Sequence, residues 1–71
     1  MPYRLVVDGK TVRRLRAKEE LTQEAAAVQI GLAASTLRRI ENGSESVQLT
    51  TLGKLADLFA VEPDILLKRV R

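Results

Sequence analysis

The 71-residue chain has no cysteine and no histidine. Without cysteine, disulfides and thiolate zinc sites are excluded. Without histidine, the commonest general base and metal ligand is missing. Tryptophan is absent too, and one tyrosine and one phenylalanine are the only aromatic residues. The core must therefore be aliphatic, built from Leu, Val, Ile and Ala. With only two prolines and four glycines to interrupt it, the chain reads as a small all-helical protein. No apolar run approaches the ~20 residues of a membrane span. Residues 1–7 are too short and too charged for a signal peptide. The expectation is one soluble cytoplasmic domain, 1–71. No residue pair offers an acid–base or nucleophilic constellation, so no catalytic residue, metal or cofactor is expected, and no enzyme.

What is present is a modest basic excess, 12 Lys+Arg against 9 Asp+Glu. Its distribution says more than its sum. Residues 1–40 carry eight basic and four acidic side chains, whereas residues 41–71 carry four and five. An anionic partner is therefore sought in the first half.

Residues 3–7 are β-prone and alternate, with Tyr3, Leu5 and Val7 on one side. Asp8-Gly9 is a turn signal, giving an arm over 1–9. Thr11 to Lys18 reads as a first helix with Val12 and Leu15 inward. Thr22 is a good N-cap for a second helix through Ile30, and Gly31 ends it. A third helix follows after three residues, from Ala34 to Glu41, with Asn42-Gly43 as its stop. Two helices joined by so short a glycine-containing turn form a helix-turn-helix, over about 22–42. On the third helix Leu37 and Ile40 face inward. Ala34, Ser35, Arg38, Arg39 and Asn42 collect on the opposite, basic face. A polar loop, 43–48, precedes a fourth helix from about Thr50 to Phe59, with Leu52, Leu55, Ala56 and Phe59 in register. Glu62-Pro63 fits the start of a fifth helix using Ile65, Leu66 and Val70.

The stretch LTQEAAAVQIGLAASTLRRIENG resembles the helix-turn-helix of the lambda-repressor-like family, the Cro/XRE type. The following LTTLGKLADLFAVEPDILL resembles that family's fourth and fifth helices. The resemblance covers residues 12–67 and implies a five-helix all-α domain with a short N-terminal strand or arm. It implies that the third helix enters the DNA major groove while the second crosses the backbone. By position it assigns Gln23 to phosphate and Ala34, Ser35, Arg38 and Arg39 to base-facing sites, with Thr36 either DNA-facing or half-buried. Asn42 and the segment around Ser44 fall where the family clamps phosphate. Arg16 and Glu41 stand where it places a buried ion pair between helices 1 and 3.

Three departures stand out. Ala33 replaces the Ser or Thr that usually caps helix 3. Glu20 replaces a helix-ending glycine. Ala26 replaces a leucine and thins the core. Arg13 and Arg14 fit phosphate contact and plain surface charge equally. The implied function is transcriptional regulation, a repressor binding an operator in double-stranded DNA as a homodimer. The alternative is an antitoxin that binds both its toxin and its own operator. A helical adaptor without DNA binding is a third reading, against which the basic face argues.

Overall fold

The computed structural model describes residues 3–43 and 46–71. In chain order come β1 (Arg4–Val7), α1 (Gly9–Lys18), α2 (Gln23–Ile30), α3 (Ala34–Glu41) and α4 (Leu49–Phe59). A 3-10 turn, Pro63–Leu66, then leads into β2 (Leu67–Val70). Four α-helices enclose the core, and the two strands pair antiparallel as a terminal ribbon, Arg4 opposite Val70 and Val7 opposite Leu67.

Each helix starts where a side chain accepts an orphan amide or where the backbone alone turns. Asp8 accepts from the amides of Lys10 and Thr11, so α1 begins at Gly9 rather than at Thr11. The Asp-Gly pair that reads as a turn is instead a cap and the first helical residue. Thr22 caps α2 through the Ala25 amide. Gly31 then closes α2 at φ 72°, a conformation that glycine adopts without the Cβ penalty. Ala33 begins α3 with no side-chain cap. Glu20 and Ala60 end their helices at φ 57° and 55°, each without the glycine that would relieve it.

The core is aliphatic apart from Phe59. Val12 of α1, Ala26, Ala27 and Ile30 of α2, and Leu37 and Ile40 of α3 meet Leu52, Leu55, Ala56 and Phe59 of α4. Leu15 packs at its margin. Leu37 and Leu55 are completely buried, and each side chain contributes about 1.5–3 kcal/mol by leaving water. Leu37→Ala would cost about 2–5 kcal/mol. Ala26 and Ala27, at 0% and 1% exposure, let α3 come close to α2. Gly9 does the same for α1: a Cβ there would run into the backbone carbonyls of Ile40 and Glu41.

The expected fifth helix is absent. Only Leu66 of its apolar residues is buried, while Ile65 is 53% exposed. The helical start at Pro63 lasts four residues. Leu67–Val70 then satisfies its backbone against β1, and the Asp8 amide donates to the Leu66 carbonyl at 2.7 Å to anchor the ribbon. The arm is thus a strand paired with the C-terminal segment of its own chain. Its expected stripe is only partly inward: Val7 packs on the core, but Leu5 is 59% exposed. Tyr3 lies under the Arg69 guanidinium, 5.1 Å from its ring centre. No described helix is long and apolar enough to cross a membrane.

Candidate nucleic-acid interface

The outer surface of α3 follows from what its inner side buries. Leu37 and Ile40 fix the helix on the core at 0% and 2% exposure. With 100° between successive residues, Ser35, Arg38, Arg39 and Asn42 are then turned to solvent, and all four are exposed. The helix's only acid, Glu41, is turned the other way and is 3% exposed. The solvent face of α3 therefore carries Arg38 and Arg39, and the one acid of the helix is on the other side.

Glu41 holds this arrangement together. Arg16 of α1 grips it bidentately, Nε to Oε2 at 2.6 Å and Nη2 to Oε1 at 3.0 Å. The same guanidinium donates through Nη1 to the Leu21 carbonyl at 2.8 Å, in the link before α2. The Gln23 side-chain amide, on the first residue of α2, donates to Glu41 Oε1 at 3.1 Å. Arg13 adds a longer ion pair at 3.6 Å and donates to Asn42 Oδ1 at 3.1 Å. One carboxylate thus ties α1, the entrance of α2 and the exit of α3. Burial opposes the Glu41 charge, but hydrogen bonds from Arg16 and Gln23 and the charges of Arg16 and Arg13 outweigh it. Its carboxyl titrates below the ordinary glutamate value, and Arg16 is held charged even more firmly than a free arginine.

The residues singled out from sequence divide into several groups. Ser35, Arg38, Arg39 and Asn42 share the exposed surface of α3 and its end. Gln23 is half-buried, with one amide hydrogen committed to Glu41. Ala34 differs from the expectation, since its methyl is half-buried and packs at the core margin instead of standing wholly outward. Thr36 is half-buried as well. Ser44 lies outside the described residues. Arg13, which sequence left open, is 54% exposed and reaches Asn42 from α1. Its helical spacing from Arg16, three residues on, was the available signal. Among the described residues no group of acids could hold a metal ion.

The model of a helix-turn-helix domain matches residues 9–69. The chain belongs to the helix-turn-helix domain family, in its Cro/XRE, lambda-repressor-like form. It is similar to the restriction-modification controller protein C.AhdI from Aeromonas hydrophila, at 36% identity and a TM-score of 0.77. That match covers 82% of this chain and 88% of the other. The P22 c2 repressor protein, solved in complex with a synthetic operator, shares the fold at a TM-score of 0.79 and 22% identity, over 82% of this chain and 88% of that one. A putative DNA-binding protein from Bacteroides fragilis also shares it, at a TM-score of 0.76 and 23% identity, over 92% and 100%. No curated protein matches the sequence significantly. The family's usual cap and glycine positions are where this chain has Ala33, with no side-chain cap, and Glu20, with a positive φ.

Proposed function

We propose that this protein is a DNA-binding transcriptional regulator, a repressor that occupies an operator as a homodimer and carries out no chemistry. The observation that carries the reading is the exposed Ser35, Arg38 and Arg39 surface of α3, on a helix seated by Leu37, Ile40 and the inward Glu41. An α-helix of this width fits the major groove, where arginine forks onto the O6 and N7 of guanine. Gln23 at the entrance of α2 and Asn42 at the exit of α3 flank that helix and serve the phosphates. Phosphate contacts position such a domain, and base contacts specify the site. One recognition helix reads few base pairs, so a dimer supplies the remaining specificity. Its half-sites lie about 34–36 Å apart on one face of the duplex.

The test is selection of bound sites from random duplex DNA, at a fixed and stated salt concentration. The expected product is a pseudo-palindrome with a strongly required guanine in each half. Recovery of no consensus, with binding that falls with salt alone, would leave only non-specific electrostatic attraction and would refute the specific reading.

A further inference from the structure

Beyond the exit of α3 the molecular surface turns onto the terminal ribbon. Residues paired across two strands share a face, and successive residues of one strand alternate between faces. The pairing of Arg4 with Val70 and of Val6 with Lys68 therefore places these four on one face. Each pair couples a cation to a valine, and the two cations stand on the diagonal. The valines are half-buried, whereas Arg4 and Lys68 are exposed.

The ribbon is basic throughout. Residues 3–7 and 67–71 include Arg4, Lys68, Arg69 and Arg71 and no acid. Arg69 covers the Tyr3 ring. Among the described residues, no carboxylate pairs with Arg4 or Lys68. A groove of about 880 Å³ joins the ribbon to the exit of α3. Arg4, Val6, Lys68 and Val70 line it together with Gly43, the residue after Asn42, and Ser46. No described lining residue is a carboxylate. Glu45, the one acid between α3 and α4 in the sequence, lies outside the described residues. The outer face of α3 thus leads, through Asn42 and Gly43, to the cations of the ribbon.

We infer that Arg4 and Lys68 are a further pair of phosphate contacts, on the DNA backbone next to the stretch of major groove that α3 reads. The inference rests on the DNA-binding reading of α3 and extends its footprint onto the ribbon. Diagonal neighbours across a ribbon lie about 7–8 Å apart, so two long side chains reach two phosphates instead of competing for one. Such contacts add affinity and fix the orientation of the domain without reading sequence. An acidic peptide would meet the same charges, but this face offers it no apolar strip, since each valine is half-buried beside a cation. A second copy of the chain would bring the same cations to the contact.

The experiment measures binding of the full chain to a selected duplex over a salt series. Wild type is compared with Arg4→Gln/Lys68→Gln. The control is Lys18→Gln/Lys54→Gln, an equal loss of exposed charge at residues that line neither the groove nor the outer face of α3. Each phosphate contact contributes about 0.9 to the slope of log K against log salt. The ribbon variant is expected to lose about 1.8 of that slope for each protomer on the site. Its base preference and Tm stay those of wild type, and the control keeps the full slope. An unchanged slope in the ribbon variant, while wild type binds DNA, overturns the ribbon contacts and leaves the reading of α3 standing. An equal fall in the control also overturns them, since net charge would then be the cause. A sedimentation profile altered in the ribbon variant with its slope intact would give the surface to a second copy. Absence of DNA binding by wild type overturns both the inference and the reading on which it rests.

Discussion

Arg16 and Glu41 meet through both carboxylate oxygens, with Nε 2.6 Å from Oε2 and Nη2 3.0 Å from Oε1. The carboxylate side chain has no exposed surface and the arginine side chain retains 16%. The pair joins α1 to the end of the helix that carries the exposed Arg38 and Arg39. Removing Glu41 leaves the largely buried Arg16 charge and the Gln23 amide without their acceptor. Glu41→Ala is expected to cost about 3 kcal/mol, lowering Tm by about 12–24 °C in a domain of this size. A thermal melt followed by circular dichroism measures it. A change of a degree or two would mean the pair contributes nothing to the fold.

The same carboxyl makes stability depend on pH in one direction. Its folded-state pKa lies below the ordinary value, so the folded state favours its ionised form. That contribution is fully present above the unfolded value of about 4.3. It is lost as pH falls through the lower, folded-state value. Wild type should therefore lose stability faster than Glu41→Gln as pH falls from about 4.3 to that lower value. Denaturant melts across neutral to acid pH give the comparison, and parallel curves would rule out this carboxyl as the source.

Gly9 tests the closeness of α1 to α3. Alanine is favoured over glycine inside a helix by about 1 kcal/mol, so Gly9→Ala would ordinarily stabilise. Here the new methyl meets the carbonyls of Ile40 and Glu41, which are backbone and cannot swing aside. The expected outcome is a net loss of about 2 kcal/mol, as for an overpacked core. A rise in Tm would show that the helices are farther apart than described.

Two positions offer the opposite sign. Ala33→Ser supplies the cap that α3 lacks and should add about 1 kcal/mol. Glu20→Gly relieves a left-handed conformation that costs a side-chain-bearing residue roughly 1–2 kcal/mol. It returns part of that gain through the roughly 0.5–1 kcal/mol of extra glycine entropy. Both variants should melt higher than wild type, Ala33→Ser by the larger margin. A lower melt for Ala33→Ser would mean that the serine hydroxyl does not reach the first-turn amides.

The functional variants separate base from phosphate contact. Arg39→Ala should relax the preference for one guanine and cost about 1–3 kcal/mol there. Gln23→Ala should weaken all sequences about equally, since a phosphate carries no sequence information. Because Gln23 also donates to Glu41, its affinity must be measured where the variant is fully folded. Site selection on the three proteins at one salt concentration decides. An unaltered base preference in Arg39→Ala would remove that residue from the reading surface.

The helix-turn-helix was readable from sequence because its determinants are local. Thr22 and Gly31 bracket the eight residues of α2, and the spacing of Leu37 and Ile40 orients α3. Of the ribbon, the first strand was readable from the alternation of residues 3–7, and the second was not. Leu67–Val70 continues a helical apolar pattern, and its strand partner lies at the other end of the chain. A short strand is decided by what it pairs with more than by its own residues. Asp8-Gly9 failed for a related reason: the pair serves a turn and a helix cap equally well until the carbonyls of α3 are in place. The tie of Gln23 to Glu41 joins side chains on different helices, and no periodicity encodes it.

The antiparallel closure of β1 on β2 also orders events in time. Its partners lie nearly the whole chain apart, whereas α2, α3 and α4 follow one another closely. Contacts distant in sequence pay the largest loop-closure entropy before they gain anything. The helical centre is therefore expected to assemble before the ribbon zips onto it, and in the native protein the same seam is expected to open first. Its amides should exchange with solvent deuterium well before those of Leu37 and Leu55, through openings that leave the helical centre intact.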